Sequence, residues 1–561
     1  MVGLTAIGLV MPAPRAEGQT APKKPRLDRA LEQALQGGEA THRVIITLKP
    51  GSRARIRKHL EDHGDLIRSE HPSIDALVVD LHSVDVGELA ERDDVAALTL
   101  DSDVYSDASA EIAGTTDTVT VRTTLRETLG LPRVAKFSPL VGSPGIGVAV
   151  IDSGITPSLN FRIWGFYNFV DSNGRSVAPF DDYGHGTHVA ALIGSRGILS
   201  GHDFQGVAPD VRLIGLKVLD AAGVGKTSDV IKALEFIVNH RSRLNVHVVN
   251  MSLGHPIYAP AIDDPLVQAV EKATAAGLVV VTSAGNKGVN EAIGLPGYGG
   301  VSSPCNAPSA ICVGAANTQN SITRSDDVVA PYSGRGPSWY DGFGKPDMVA
   351  PAHKLAADAS KVSYLYRTLP ASRATTWTGQ PLLVLSGTSM GAGVVSGVAA
   401  LVIDAHDNND LHKQEPLSVN LVKALLQFSA IPIVGFDQLT QGTGQVNGAG
   451  AIAVADAIDT SKPLGSWWLA KGVTPSTEIG GNTYAWAQNI VWGDNIVCGD
   501  VVYRNNIVWG ENIIWGENII WGENIIWGEN IIWGENIIWG ENIIWGENII
   551  WGSSAPEGGV F

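Results

Sequence analysis

Residues 147–155 read GVAVIDSGI, and this stretch decides the fold of the region around it. The run GVAVI is apolar throughout, which is typical of a strand buried on both faces of a sheet. Similar runs follow at 211–218, 246–251 and 278–282, and helical patterns lie at 185–194, 227–240 and 264–276. Buried strands that alternate with helices predict an α/β fold, with a mainly parallel sheet and helices on both of its faces.

Polar residues stand at the ends of these elements, where reactive groups of parallel sheets usually lie. Asp152 directly follows the run GVAVI, so its carboxylate can orient a histidine and stabilise the charged imidazole. His185 lies between two glycines at the start of a predicted helix, which suits a general base. Ser389 lies in GTSMG before a helix of small residues at 392–405, and an adjacent base would make its hydroxyl nucleophilic. Taken singly, the Asp and Ser motifs have commoner interpretations, as a turn and as a helix cap.

Two further segments can serve a reaction at Ser389. Asn286 ends TSAGN after an apolar strand, where its amide is either a turn residue or a donor to a developing oxyanion. Residues 252–254, SLG, follow the run VHVVNM and can offer an extended edge to a peptide. The chain order Asp, His, Ser argues against a lipase or esterase, although GTSMG matches Gly-x-Ser-x-Gly, because those enzymes carry acid and histidine after the serine.

This combination of segments resembles the subtilisin-like serine peptidases, the subtilases. The segments that carry the resemblance are GVAVIDSGI (147–155), GHGTHVA (184–190), GVAPD (206–210), VVNMSLG (248–254), VVVTSAGN (279–286), KPDMVAP (345–351), SGTSMGAG (386–393) and QGTGQVNGAGAI (441–452). The resemblance implies a serine endopeptidase that acts through an acyl-enzyme, with Asp152, His185 and Ser389 as its catalytic triad. It also implies an oxyanion hole made by Asn286 and the Ser389 amide. The implied specificity pocket and substrate-pairing strand are formed by Ser252, Leu253, Gly254, Ser283, Ala284 and Gly285.

Two departures from the family's usual pattern lie next to these motifs. Gly391-Ala392-Gly393 stands where the family usually has a proline after the Ser-Met pair, and Ala191 replaces a common glycine. The missing proline predicts a slight shift of the helix start that carries Ser389. Met390, beside the serine, is a predicted site of oxidation.

Residues 41–105 form a separate small α/β pattern. Strands are predicted at 43–49, 76–81 and 95–100, and helices at 52–63 and 84–91, the second capped by Ser83. The order is compatible with a split βαβ sandwich, although from pattern alone another small α/β domain is the simpler interpretation. The resemblance implies an inhibitory, ferredoxin-like propeptide that occupies the cleft, with self-cleavage between 100 and 140.

The rest of the chain divides around these two units. The predicted regions are an N-terminus with a signal-like run (1–40), the propeptide (41–105), a linker (106–140), the catalytic domain (141–460), a spacer (461–485) and hexapeptide repeats (486–552). The apolar run at 2–11, followed by Ala13 and Ala16, resembles the core and exit of a signal peptide, although a basic start is missing. A secreted, extracellular or cell-surface protein is therefore predicted.

Composition limits the partners and cofactors. The 561-residue chain has a formal net charge of −17, which disfavours nucleic acid and anionic membranes as partners. No apolar run reaches the ~18 residues of a membrane span. Neither the three cysteines nor His185 and His188 follow a metal-ligand pattern, so no metal or cofactor is predicted, and structural calcium is left open. Cys305 and Cys312 lie close enough in sequence to form a disulfide, with two free thiols as the alternative.

Seven identical copies of WGENII fill residues 509–550. Six residues leave successive tryptophans on different sides of a helix but on the same side of a strand. The period suggests a β-solenoid, while identical units also permit slipped register and self-association. The tail is interpreted as a binding, anchoring or assembly module, so the alternative function is a weak or inactive peptidase fold that carries an adhesive tail.

Overall fold

The computed structural model describes most of the chain. The described residues are 27–106, 123–135, 145–170, 172–290, 292–408, 416–461 and 470–488, together with the backbone of three short strands at 518–520, 530–533 and 542–545. The predicted signal-like run, most of the predicted linker, Cys498 and most of the hexapeptide repeats lie outside the described residues.

The N-terminal unit is a four-stranded antiparallel sheet with helices. Its elements, and the strand that follows them, are α1 (Arg29–Gln36), β1 (Thr41–Leu48), α2 (Arg53–His63), β2 (Leu66–His71), β3 (Ala76–His82), α3 (Val86–Glu91), β4 (Val95–Leu100) and β5 (Asp103–Ser106), with a 3₁₀ turn at Pro72–Ile74. The strand order β2-β3-β1-β4 and the element order βαββαβ are those of a split βαβ sandwich. Apolar residues of β1, β3 and β4 pack against α2 and α3 in a core of their own.

Two details of this unit differ from the sequence prediction. Strand β2 was not predicted, because its residues LIRSEH are mostly polar and only partly buried, so it carries little apolar signal. Helix α3 begins at Val86 after Asp85, and the prediction of Ser83 as its cap was wrong. The Ser83 hydroxyl donates instead to the carbonyl of Glu39 at 2.5 Å, which joins the end of β3 to the start of β1.

The large unit begins after the short helix α4 (Leu125–Thr128). Its first half contains β6 (Gly147–Asp152), β7 (Ile163–Asn168), β8 (Arg175–Ser176), α5 (His185–Gly194), β9 (Arg212–Lys217), β10 (Val224–Lys226), α6 (Thr227–Leu244), β11 (Val246–Met251), β12 (Leu253–Pro256), α7 (Pro265–Ala275), β13 (Val279–Ser283), β14 (Val289–Asn290), β15 (Leu295–Pro296), β16 (Ser302–Ser303) and β17 (Ile311–Asn317), with a 3₁₀ turn at Ile198–Ser200.

Its second half contains β18 (Val328–Val329), β19 (Met348–Pro351), β20 (Leu355–Asp358), α8 (Tyr364–Thr368), β21 (Arg373–Thr375), β22 (Pro381–Leu385), α9 (Thr388–Asp407), α10 (Val419–Phe428), α11 (Gln438–Gln441) and α12 (Gly448–Ala457), with a 3₁₀ turn at Pro370–Ser372. A hairpin of β23 (Ser476–Ile479) and β24 (Asn482–Ala485) follows.

A nine-stranded sheet forms the centre of this unit. Its order is β18-β17-β13-β11-β6-β9-β7-β8, with β19 also paired to β17. The six strands from β17 to β7 pair in parallel, and the short strands β18 and β8 add antiparallel edges. The prediction of a mainly parallel α/β sheet is therefore confirmed.

Both faces of the sheet are buried. Along β6, Val148 and Val150 pack in the cluster that holds α5, α9 and α10, whereas Ala149 and Ile151 pack in the cluster that holds α6 and α7. Because successive side chains of a strand point to opposite faces, a strand buried on both faces needs apolar residues at every position. This is the physical reason for the unbroken run GVAVI.

One described helix, Thr388–Asp407, is long and apolar enough to cross a membrane by length and composition. It is α9, which packs against α5, α12 and five strands of the sheet, so its apolar surface is already covered by protein. Core helices of this kind pass the same composition test as membrane spans.

The segment predicted as a spacer contributes to the core of the large unit. Ile479 in the hairpin and Trp486 just after it are both buried in the same cluster as α9 and α12. The indole Nε1 of Trp486 donates to Thr477 Oγ1 at 2.7 Å. Trp486, at which the loosest copies of the repeat begin, is therefore a core residue.

Three short strands within the repeat are described, at Asn518–Ile520, Asn530–Trp533 and Asn542–Trp545. They pair in parallel, with Ile519 opposite Ile531 and Ile531 opposite Ile543. Each step spans two hexapeptides, as expected for coils that stack.

Candidate active site

Asp152 and His185 form a buried pair at the carboxyl end of the sheet. Asp152 is the last residue of β6, and His185 is the first residue of α5. Nδ1 of His185 lies 2.7 Å from Oδ1 of Asp152, and neither side chain is exposed. The same carboxylate oxygen accepts from the main-chain N–H of Ser153 at 2.7 Å. A carboxylate in this position holds Nδ1 protonated, so Nε2 is the nitrogen that can accept a proton.

Asp181 fixes the start of the helix that carries His185. One of its carboxylate oxygens accepts from Ser153 Oγ and from the N–H of Gly184, at 2.9 and 2.7 Å. The other accepts from the N–H and hydroxyl of Thr187, at 2.8 and 2.6 Å. Asp181 is 4% exposed and thus supplies buried acceptors to a helix N-terminus, where negative charge is also favoured.

A glycine next to the histidine makes this close approach possible. A Cβ at Gly186 would lie 2.2 Å from the carbonyl oxygen of Gly154 and 3.1 Å from the Asp152 side chain. Helix α5 can therefore reach the end of β6 only because residue 186 has no side chain.

Ser389 lies in the first turn of α9 and is fully buried. Its hydroxyl donates to the carbonyl oxygen of Ser252 at 3.2 Å, and the Ser252 hydroxyl donates to the Ser389 carbonyl at 2.9 Å. Asn250 continues this network, because its amide donates to Ser252 Oγ and its oxygen accepts from Ser396 on α9. Helix α9 is thus tied to the loop after β11.

Asn286 is held next to Ser389 by the residue that precedes the serine. Its side-chain oxygen accepts from the main-chain N–H and the hydroxyl of Thr388, at 3.0 and 3.2 Å. The Thr388 hydroxyl in turn lies 3.1 Å from the N–H of Gly285, which donates to it. The oxygen of Asn286 thus accepts both bonds from Thr388, and the NH₂ group is the donor end of the amide.

A cleft opens beside these residues, with glycine in its walls. Gly254 and Gly285 line it, together with Ser302 and Lys287. A Cβ at Gly254 would lie 2.4 Å from the carbonyl oxygen of Ser303, and one at Gly285 would lie 2.9 Å from Ser302 Oγ. The two glycines therefore let the chain approach residues 302 and 303 closely at this wall of the cleft.

Residues 143–456 match the model of the subtilase family. The chain belongs to the subtilase family. It is 35% identical over 321 residues to the serine protease AprX of Bacillus subtilis, an alignment that covers 56% of this chain and 66% of AprX. It is 35% identical over 269 residues to subtilisin E of the same species, covering 46% of this chain and 56% of subtilisin E. The alignments thus cover only part of each of these relatives.

A solved structure with the same fold is that of fervidolysin from Fervidobacterium pennivorans, a keratinolytic enzyme related to subtilisin. The TM-score is 0.54 at 20% sequence identity, and the match covers 73% of this chain and 61% of fervidolysin. At this identity the likeness concerns the fold alone.

The structure brings the residues predicted for the subtilase site together to different degrees. Asp152 contacts His185, Ser389 contacts Ser252, and Asn286 contacts the residue before Ser389. Gly254 and Gly285 line the cleft, but Leu253, Ser283 and Ala284 are fully buried behind it. Ala284 is linked to β17 by its N–H, which donates to the carbonyl of Val313.

The departures from the family's pattern cause no break in the helix that carries the serine. Helix α9 runs without interruption from Thr388, and Gly393, which stands where the family usually has proline, lies within it. Gly391 fits the close contact with β17, because a Cβ there would lie 2.9 Å from the Gly314 carbonyl oxygen. Met390 is fully buried, which protects its sulfur from oxidants in this form of the protein.

His188 has a structural position inside helix α5. Its Nε2 lies 3.1 Å from the carbonyl oxygen of Leu355 and 3.2 Å from that of Leu383, so this nitrogen carries the proton. Burial lowers the pKa of His188 to about 4. The ring is therefore neutral at pH 7 and joins α5 to the sheet of β20 and β22.

Groups that could hold a metal ion lie outside this site. Within the described ranges, two sets of three side chains bring ligand atoms within 4.8 Å of one another, and both belong to the N-terminal unit. They are His59, His63 and Glu88, and Asp65, His82 and Asp85. No such set among the described residues includes Asp152, His185 or Ser389.

Three positioning residues were missed by the sequence analysis. Asp181 precedes His185 by four residues and lies outside the N-cap position, which is Gly184, so the sequence gives no capping signal for its role. Thr388 lies inside the serine motif, but only the fold places it against Asn286. Lys217 donates to the Ser153 carbonyl at 2.7 Å from the neighbouring strand, and its sequence context, an apolar strand, gives no signal for this role.

Proposed function

We propose that this subtilase is a serine endopeptidase that hydrolyses polypeptides through an acyl-enzyme and is made as a precursor that it processes itself. The observation that carries the proposal is the buried pair of Asp152 and His185, placed at the same sheet edge as Ser389 and Asn286. Asp152 contacts His185, as its orienting role requires, and Ser389 and Asn286 are held by Ser252 and Thr388.

In the proposed reaction, His185 is the general base. Its Nδ1 is held by Asp152, so Nε2 takes the proton of Ser389 as the serine oxygen attacks the substrate carbonyl. The hydroxyl, which donates to Ser252 in the precursor, turns its proton towards the imidazole for this step. The buried carboxylate then stabilises the imidazolium that forms.

The negative charge of the intermediate would be stabilised by two donors. As the second residue of α9, Ser389 has a main-chain N–H without an acceptor inside its own helix. The NH₂ group of Asn286 is the second donor, and its orientation is fixed by Thr388. Donors fixed before the reaction begins stabilise the transition state without the need to reorganise.

Self-processing is supported by the position of β5. This strand pairs antiparallel with β10 on one side and with β12 on the other, so the N-terminal unit enters the catalytic unit as the middle strand of a sheet. Peptides are commonly bound by adding a strand to a sheet edge in this way. The precursor's own chain thus follows the path that we propose for a substrate.

Contacts of the N-terminal unit with α6 support its role as a propeptide. The Asp101 carboxylate accepts from the N–H and hydroxyl of Ser228, both at 2.8 Å, at the start of α6. Further along the helix, Glu235 accepts from the N–H and hydroxyl of Ser73, at 3.0 and 2.6 Å. A unit that binds the folded catalytic domain but not its unfolded chain stabilises the fold by mass action.

Export of the protein is supported by the disulfide between Cys305 and Cys312, whose Cα atoms are 4.9 Å apart. Disulfides persist mainly in oxidising compartments outside the cytosol. We propose that the chemistry needs no metal; melting with and without a chelator would show whether calcium contributes to stability.

The test compares the wild type with Ser389→Ala. The wild type should shorten its own chain, cleave an unfolded protein and react with a serine-directed organophosphate. Ser389→Ala should lose at least about 1000-fold in activity and stay full length. A Ser176→Ala variant, in which a hydroxyl is removed from an exposed residue of β8, is the matched control. Equal activity of Ser389→Ala and the wild type would refute the proposal.

The alternative, a weak or inactive peptidase fold that carries a self-assembling tail, is favoured by one observation. The three described strands of the repeat pair in parallel at a constant step, as assembling strands do. If the tail causes assembly, the sedimentation of Ser389→Ala should depend on protein concentration. Removal of residues 489–561 should abolish that dependence.

A further inference from the structure

Two histidines of α2 lie next to a carboxylate of α3 in the N-terminal unit. His59 and His63 are four residues apart in the helix, so they lie on the same side of it. Their ring centroids are 4.2 Å apart. Glu88 belongs to the neighbouring helix, and one possible ligand atom from each of the three side chains lies within 4.8 Å of the other two. The three side chains thus converge on one point between α2 and α3.

The distance between His59 and Glu88 suits a metal ion better than a hydrogen bond. Nε2 of His59 lies 3.6 Å from Oε1 of Glu88, which is too far for a hydrogen bond. This nitrogen is buried and has no hydrogen-bond partner among the described residues. Two ligand atoms bound at about 2.1 Å to a tetrahedral Zn²⁺ lie roughly 3.4 Å apart. An ion between the two side chains would therefore satisfy the buried nitrogen with little movement.

A second carboxylate orients the other histidine. Nδ1 of His63 lies 3.2 Å from Oδ1 of Asp85, the residue that precedes α3. A carboxylate at one ring nitrogen is typical of histidines that bind metals, because it fixes the tautomer and makes the other nitrogen a better ligand. His63 is also the last residue of α2, and the carboxyl end of a helix favours a cation.

The neighbouring set of possible ligands, Asp65, His82 and Asp85, is less suited to an ion. Nδ1 of His82 lies 2.7 Å from Oδ1 of Asp65, and the same oxygen accepts from the main-chain N–H of His82 at 2.9 Å. These two side chains are already hydrogen-bonded, and they are closer than the roughly 3.4 Å expected between two ligands of one Zn²⁺. The set that contains His59 is therefore the better candidate.

We propose that His59, His63 and Glu88 bind one Zn²⁺ ion, or a similar divalent transition metal, with water in the fourth position. Two imidazoles and one carboxylate favour such ions over Ca²⁺ and Mg²⁺, which prefer oxygen ligands. The ion joins α2 to α3 and so stabilises the N-terminal unit, which contacts α6 of the catalytic unit. The site lies apart from the residues of the proposed reaction and does not depend on that reaction.

The first experiment is an isothermal titration of ZnCl₂ into the full-length Ser389→Ala protein, purified without a histidine tag and freed of metal with a chelator. We expect one site, whose affinity falls at least about tenfold in His63→Gln and in Glu88→Gln because each variant removes one of three ligands. Both residues are exposed, so the far-ultraviolet circular dichroism should stay the same. CaCl₂ should show no binding that depends on His63.

The matched control is His82→Gln, the same chemical change at a partly exposed histidine of the same unit. This variant should bind Zn²⁺ as tightly as its parent does. If neither His63→Gln nor Glu88→Gln weakens the binding of Zn²⁺, the proposal is wrong. If His82→Gln weakens it as much as His63→Gln does, the assignment of the ligands is wrong.

The second experiment tests whether the ion holds the two helices together. Helix α2 contains four basic residues at which trypsin cleaves, Arg53, Arg55, Arg57 and Lys58. Cleavage at these residues reports opening of the helix. With free Zn²⁺ at about ten times its dissociation constant, cleavage of Ser389→Ala in α2 should slow about tenfold, because an ion that binds only the closed form lowers the open population by that factor. His63→Gln should show no such protection. Equal protection of both proteins, or of neither, would overturn this role of the ion.

Discussion

Replacement of Asp181 by asparagine tests whether this side chain holds His185, the proposed general base, in position. The carboxylate supplies one oxygen to the N–H of Gly184 and the other to the N–H of Thr187, on either side of His185. Asparagine has only one side-chain oxygen, so one of these main-chain donors loses its acceptor. The nearby hydroxyls of Ser153 and Thr187 can turn to accept from the new NH₂ group, but a main-chain N–H cannot.

The expected loss in the free energy of unfolding follows from these contacts. A buried donor left without an acceptor costs ~1–3 kcal/mol. Loss of a negative charge at the start of α5 costs a further ~0.3–1 kcal/mol. Asp181→Asn should therefore be destabilised by about 1–4 kcal/mol. Its kcat should also fall, because a shift of His185 by a fraction of an ångström disturbs proton transfer.

Stability should be measured in a Ser389→Ala background, so that self-digestion does not distort the unfolding curve. The readout is the guanidinium midpoint followed by tryptophan fluorescence. The control is Asp326→Asn, the same chemical change at an exposed carboxylate that accepts from Ser321 Oγ. The control should lose less than about 0.5 kcal/mol. If Asp181→Asn matches the control in stability and retains full activity, Asp181 does not position His185.

Three further predictions concern the oxyanion donor, the buried histidine and the disulfide. Asn286→Ala should lower kcat by about 100- to 1000-fold with little change in KM, because the donor acts mainly in the transition state. A variant with unchanged kcat and a raised KM would contradict this. The pKa of His188 is about 4 because the ring is buried, below the ~6.5 of an unfolded histidine, so its contribution to stability is complete above pH ~6.5 and is lost as the pH falls towards 4. His188→Gln should therefore flatten this part of the pH–stability curve, and an unchanged slope would refute the assignment. Replacing Cys305 and Cys312 together by alanine should lower the free energy of unfolding by about 2–3 kcal/mol, the value for a loop of this length. A double mutant that is as stable as the wild type would count against a stabilising disulfide.

Sequence reasoning succeeded where one physical requirement acts at every position of a segment. The strands that begin at Gly147 and Val246 were predicted within a residue, because burial on both faces demands an unbroken apolar run. The first residues of helices α5 and α6 were also predicted correctly, because both helices have apolar residues that face the sheet. Strand β2 was missed because its partly exposed, polar residues obey no such requirement.

The sequence by itself determined the parallel α/β class, the chemical identity of Asp152, His185, Asn286 and Ser389 as candidates, and their order along the chain. These depend on local patterns: an apolar run, a helix start and the residue types at each boundary. The positions of Asp152 and His185 within their elements also follow from local sequence, since β6 ends at the aspartate and α5 begins at the histidine.

Only the tertiary structure decided which of these groups meet and what else lies beside them. The contact between Thr388 and Asn286 spans 102 residues. Strand β5 pairs with β10 and β12, which are more than a hundred residues away in sequence. Such contacts are set by how the sheet, its helices and the N-terminal unit pack as whole bodies. A side chain's distant neighbours leave no periodic trace in its own segment, which is why the roles of Asp181 and Thr388 became visible only in the fold.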